Sequence, residues 1–298
     1  MDSRRGRCRR DPARGSGGAR TVIDPDRLIR SPDGTPIAVF ESGTAEPGIR
    51  PLLLVHGTTA DHLTFRIVGP LLGRRRRLHA IDRRGRGASG DGPAYAITRE
   101  FEDVAAVADA VAGEEGGPVD VVGHSFGGRC ALGAALLTPS IRRIVSYEGA
   151  PAPAGRPYQP PGLADRLRAH LARGDGEAAL ETFMREVVGM DDAGMARFRA
   201  DPVWPLRVAA SLTILRELEA ERAPAASLEG LGRVAVPVLQ VLGTASPPAF
   251  RAATAALDAR LARGTVARIE GAAHAAHHTH PEAFVAAVEA FLDRADPA

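Results

Sequence analysis

Gly123-His124-Ser125-Phe126-Gly127 holds the residue types of nucleophilic catalysis at a spacing that could expose them. The apolar run Val119-Asp120-Val121-Val122 precedes it, and an Ala/Leu-rich segment from Arg129 to Leu137 follows. A strand, a tight turn and a helix would push the Ser125 hydroxyl out at the end of a sheet, the glycines admitting the strained backbone. The amide of Phe126 would point into the same space, at a helix start whose dipole favours negative charge. Ser125 does not ionise near neutral pH, so it needs a base to take its proton and donors to hold the charge that develops.

The elements that must position such a site alternate along the chain. Strands are expected at Asp26–Arg30 and Pro36–Glu41, joined by the Ser-Pro-Asp-Gly turn at 31–34. Leu52–Val55 is a short apolar run of the kind buried on both faces of a parallel sheet. A helix around Leu63–Leu72, the strand Leu78–Ile81 and an amphipathic helix over Thr98–Val111 come next, the last with Phe101, Val104, Ala105, Ala108 and Val111 on one face. Beyond the serine turn, Arg143–Tyr147, Val236–Leu242 and Thr265–Ile269 read as strands. Helices are expected through Ala249–Leu261 and over Pro281–Arg294.

Between residues 150 and 232 the alternation stops. A Pro/Gly-rich stretch, 151–162, opens a region with helical patterns near Leu163–Leu171, Glu177–Val188 and Ala193–Glu221 and no strand pattern. The expected organisation is an α/β core, 21–149 and 233–298, with an all-helical cap at 150–232 above the carboxyl ends of the strands, where open sheets bind ligands. Trp204, the only tryptophan, sits between Pro202 and Pro205 in this cap and is a candidate for lining the substrate pocket or for packing the cap itself.

Composition narrows the function classes. All 38 basic residues are arginines, and seven of them fall in the first twenty positions beside two aspartates. The formal charge of +2 is therefore carried by residues 1–20, an Arg/Gly/Ser-rich stretch expected to be a disordered tail, while the remainder is net acidic. That excludes a basic nucleic-acid footprint on the folded part. No apolar run reaches membrane-span length, and no apolar segment follows the tail's paired arginines, so neither membrane nor export is expected. Cys8 lies in the tail and Cys130 in an expected buried helix, which fits a reducing cytoplasm without a disulfide.

With these elements in order, residues 21–298 resemble the α/β-hydrolase superfamily. Four motifs carry the resemblance: Leu52-Leu53-Leu54-Val55-His56-Gly57-Thr58-Thr59, Asp82-Arg83-Arg84-Gly85-Arg86-Gly87-Ala88-Ser89, the Ser125 turn, and Gly271-Ala272-Ala273-His274 followed by Pro281-Glu282. The resemblance implies a mostly parallel sheet flanked by helices, Ser125 as nucleophile, His274 as its base, and the amides of Thr58 and Phe126 as the oxyanion hole. It implies no metal and no organic cofactor. Gly85-x-Gly87-x-x-Gly90 also matches a dinucleotide fingerprint, but Asp91-Gly92-Pro93 follows where a helix would have to open, so a tight loop fixed by Asp82 is expected. His274, His277, His278 and His280 come without a carboxylate or cysteine set and fit a turn entering a helix better than a metal site.

The acid of the expected triad departs from the family's pattern. Most members place an aspartate after the strand equivalent to Val236–Leu242, three residues past a glycine. Here the stretch reads Gly243-Thr244-Ala245-Ser246, and serine cannot carry the charge that stabilises a histidinium. Glu148 ends the preceding strand, where some members such as the haloalkane dehalogenases hold their acid, and Ser125, Glu148, His274 keep the Ser…Glu…His order. Glu148 is therefore the expected acid, with Glu270 a remote rival, and Ser246→Ala is expected to be nearly silent. The reading is a cofactor-free serine hydrolase cleaving an ester, thioester or lactone of a small soluble substrate. Lyase or cyclase chemistry on the same scaffold, and a small-molecule-binding protein without turnover, stay open as alternatives.

Overall fold

A computed structural model describes residues 24–92 and 94–295. The expected tail lies outside these residues. Eight strands form one sheet: β1 Arg27–Arg30, β2 Pro36–Gly43, β3 Leu52–Val55, β4 Arg77–Ile81, β5 Val119–His124, β6 Ile141–Tyr147, β7 Val238–Gly243 and β8 Gly264–Ile269. Their spatial order is β1-β2-β4-β3-β5-β6-β7-β8, with β2 antiparallel to both of its neighbours, β1 and β4, and the other pairings parallel. The chain steps from β3 out to β4 and then returns past β3 to β5. The winding thus reverses between β3 and β5, and the crevice outside such a reversal is where an open α/β sheet binds its ligand.

The central strands are buried on both faces because successive side chains alternate sides and both sides are covered. Leu53, Val55, Val121 and Ile144 pack under the helices Ile97–Glu115 and Phe126–Ala134. Leu52, Leu54, Val122 and Val145 face the other way, onto Phe65, Leu72 and the helix Pro281–Leu292. Tight parallel packing of this kind fixes strand register, and it brings Val55, Gly123 and Ser146 abreast at one end of the sheet.

Two helical stretches differ from expectation, each for a local reason. Leu63–Leu72 is a 3-10 turn at His62–Phe65 and a separate short helix at Gly69–Leu72, the break falling where Gly69-Pro70 cannot continue the first turn. Ala193–Glu221 divides into Asp192–Arg199, Trp204–Ala209, a 3-10 turn and Ile214–Ala220, with Pro202 and Pro205 closing one helix and starting the next. Between β6 and β7 the described residues contain helices and no strand, from Leu163–Ala172 through Leu228–Leu231. This insert has its own apolar cluster, built around Leu163, Leu167, Leu180, Phe183, Met195 and Ile214.

Candidate active site

Ser125 leaves β5 with φ 54° and ψ −124°, and the helix Phe126–Ala134 starts at the next residue. The left-handed φ falls on the serine itself, a strain of about 1–3 kcal/mol that such a turn stores. The motif glycines serve close approach instead. A Cβ on Gly123 would lie 2.5 Å from the Gly127 carbonyl oxygen, and one on Gly127 would lie 2.3 Å from the carbonyl oxygens of Val55 and His56. Any side chain there would push the turn off the end of β3. Phe126, as the first helical residue, has no carbonyl one turn back, so its amide is free to face the space above Ser125.

The loop after β3 closes the other side of that space. Thr58 lines the same cavity as Ser125, and its neighbour Thr59 holds φ 59°. Three buried side chains pin the loop. His56 Nε2 accepts the Arg83 amide at 2.9 Å, while its Nδ1 meets the Gly57 carbonyl at 2.9 Å and must carry the proton. Arg83 donates to the Gly57 carbonyl at 3.2 Å, and Arg207 of the insert donates to the Thr59 carbonyl at 3.3 Å. Burial, together with the Arg83 charge, pushes His56 well below its usual range, so it is a neutral clamp rather than a proton carrier.

His274 stands between two rings, His124 at 4.8 Å and Phe250 at 4.5 Å between centroids. Its Nδ1 lies 2.6 Å from Glu148 Oε2, with Glu148 4% and His274 6% exposed. The carboxylate therefore fixes the ring and leaves Nε2 as the nitrogen available for proton exchange. Glu148 Oε1 accepts the Gly243 amide at 2.9 Å and the Ser246 hydroxyl at 2.5 Å. Thr58, Ser125, Phe126, Glu148 and His274 all line one cavity, so the five residues expected from the sequence converge.

Sequence reasoning missed the supports beneath them. Tyr147 donates its hydroxyl proton to the Ala273 carbonyl and accepts the Ala276 amide at 2.8 Å, tying the end of β6 to the histidine loop. His124 Nε2 donates to the His274 carbonyl at 2.9 Å. Gly243 admits that loop: a Cβ there would lie 2.3 Å from the Ala272 carbonyl oxygen. For Tyr147 and His124 the one signal in the sequence is position, each at the carboxyl end of a strand next to an expected site residue; Gly243 ends β7.

The rest of the cavity wall is mixed. Phe183, Val187, Val188 and Leu218 come from the insert, Phe250 and Tyr158 close one side, and Arg129 and Glu221 form an ion pair at 2.8 Å. Val187 and Val188 belong to a π-helical turn, Met184–Val188. Trp204 packs elsewhere. It meets Phe198 edge-on at 5.2 Å inside the insert's cluster, because the Trp204–Ala209 helix turns its apolar side toward the other insert helices. Asp82 holds its own loop, accepting the His62 and Ala88 amides at 2.8 and 2.9 Å, and a Cβ on Gly87 would collide with its carboxylate. Turns continue from there, and the next helix opens only at Ile97. Among the described residues no cluster of His, Cys, Asp and Glu has the arrangement of a metal site.

The sequence pattern of the Alpha/beta hydrolase family matches residues 52–287, most of the chain, from β3 into the helix Pro281–Leu292. The chain belongs to that family. A pimeloyl-[acyl-carrier protein] methyl ester esterase of Edwardsiella ictaluri is 28% identical over 262 residues, covering 84% of this chain and 96% of that protein. The protein of the same name in Neisseria meningitidis is 30% identical over 261 residues, covering 82% and 93%. Among solved structures, an alpha/beta hydrolase from Sphaerobacter thermophilus superposes with a TM-score of 0.70 at 32% identity, over 87% of this chain and 100% of that one. The helices between β6 and β7 interrupt an otherwise alternating core. No helix among the described residues is long and apolar enough to cross a membrane.

Proposed function

We propose that this protein is a serine hydrolase that cleaves an ester, thioester or lactone of a small soluble substrate through an acyl-enzyme, acting in the cytoplasm. The observation that carries the reading is the 2.6 Å contact of His274 Nδ1 with Glu148 in the cavity that also holds Ser125. Ser125 Oγ attacks the substrate carbonyl as His274 Nε2 takes its proton, and the Thr58 and Phe126 amides hold the oxyanion. The Glu148 carboxylate stabilises the imidazolium. Collapse of the tetrahedral intermediate passes the proton to the leaving group. Water then attacks the acyl-enzyme by the same route, and the acid product departs.

The narrow cavity and its apolar wall from the insert favour a short or slender acyl group, and the two relatives named as methyl ester esterases support ester chemistry. A fluorophosphonate probe tests the mechanism by mass spectrometry. Label on Ser125 in the wild type, absent from Ser125→Ala, is expected. An unlabelled wild type with several such probes would contradict it. Solvent oxygen-18 in the acid product separates hydrolysis from lyase or cyclase chemistry, which needs no water.

A further inference from the structure

Ser246 occupies the loop position where the family's pattern calls for a carboxylate, and the fold has kept that position wired into the site. It is 1% exposed, and its hydroxyl lies 2.5 Å from Glu148 Oε1. An ionised carboxylate has no proton to give, so Ser246 is the donor. The same oxygen takes the Gly243 amide at 2.9 Å, and the other oxygen faces His274 at 2.6 Å. Two donors from the β7 loop thus fix one oxygen, and the geometry of the carboxyl group then fixes the second. Ser246 is itself anchored: its amide donates to the Gly243 carbonyl at 3.2 Å, its carbonyl accepts from Arg251, and Pro247 follows.

We propose that Ser246 is a positioning residue for the general-base pair, holding the Glu148 carboxylate in the one rotation that presents Oε2 to His274. The inference rests on the serine-hydrolase reading above. The physical need is clear from where the acid starts. Glu148 leaves β6 with φ 49° and reaches toward the loop of the neighbouring strand, with one more rotatable bond than an aspartate would have. A charge-assisted hydrogen bond at its outer oxygen restrains that freedom. The expectation of a silent Ser246→Ala is replaced by a measurable cost.

Hydrolysis of p-nitrophenyl acetate by the full-length protein tests this in a double-mutant cycle of Ser246→Ala with Glu148→Gln. In the wild-type background, Ser246→Ala should lower kcat about tenfold with KM within about twofold, the size of one charge-assisted hydrogen bond acting on the transition state. In the Glu148→Gln background the same substitution should cost less than about twofold, because its effect passes through the carboxylate. Ser246→Cys, which keeps a weaker donor, should fall between wild type and Ser246→Ala, and it supplies the reading should Ser246→Ala fold poorly. A silent Ser246→Ala, or an equal loss in both backgrounds, overturns the assignment. Wild-type turnover by Glu148→Gln would instead bring down the catalytic reading on which it rests, a separate and distinguishable result.

Discussion

Two glutamates buried on either side of the Ser125 turn have opposite characters. Glu148, at the end of β6, faces a histidine, a hydroxyl and an amide. Glu217, on the insert helix Ile214–Ala220, faces Arg83 and Arg86. Arg83 also holds Glu100 at 2.7 Å and reaches the Gly57 carbonyl, so this second cluster sits directly behind the oxyanion loop. Burial alone would push the Glu217 carboxyl up, but the Arg83 and Arg86 charges outweigh it and leave it below its usual range. Arginine cannot release a proton at ordinary pH, so that cluster can only lock structure. Histidine can, so the Glu148 cluster can do chemistry. The lesson is that partner type, rather than burial, separates a structural carboxylate from a functional one.

Substitutions should pull the two regions apart. Ser125→Ala should cause the greatest loss, lowering kcat by about a million-fold for a nucleophile acting within an intact site, checked with purified protein on p-nitrophenyl acetate. Glu148→Gln keeps shape and removes charge, and should lower kcat by roughly 10³–10⁴ while thermal denaturation changes little. Glu217→Gln should reverse that pattern. Leaving Arg83 and Arg86 without their shared carboxylate costs about 3–5 kcal/mol of stability, read as a drop in the denaturation midpoint, with turnover at low temperature falling far less.

Acid should distinguish a third set of groups. Burial holds His124 and His277 well below their usual range, with neighbouring histidines adding to the effect, and His278 falls to about 4. Below about pH 6.5 the unfolded chain takes up protons that the native state refuses, so stability falls as pH drops from there. Each such histidine contributes up to about 1.4 kcal/mol per pH unit. Urea titrations from pH 7 to 5 should show the decline, and His277→Gln should make it shallower. A flat stability profile would contradict the neutral state assigned to these rings.

The sequence made Ser125, Phe126, Thr58 and His274 legible because each sits in a local motif whose geometry the next few residues enforce. Glu148 was legible at longer range, as a carboxylate at a strand end with none at the usual place. The role of the motif glycines was half legible. Their need came through, but the left-handed backbone belongs to Ser125, and the glycines answer to strands that approach from far along the chain. Ser246, Tyr147 and His124 act through partners 98, 126 and 150 positions away, contacts that no local pattern encodes. The insert was legible as helical but not in its breaks or in which side chains reach the cavity. Helix-to-helix packing decided that, keeping Trp204 within the insert's own cluster while Val187 and Val188, packed on the same cluster, also reach the wall of the cavity that holds Ser125.

The claim that the working acid stands at the end of β6 is tested most directly by one comparison: kcat of Glu148→Gln against kcat of Glu217→Gln, on the same ester at the same low temperature. The account predicts that the Glu148 variant is slower by at least about a hundredfold. Equal rates, or a slower Glu217 variant, would contradict it.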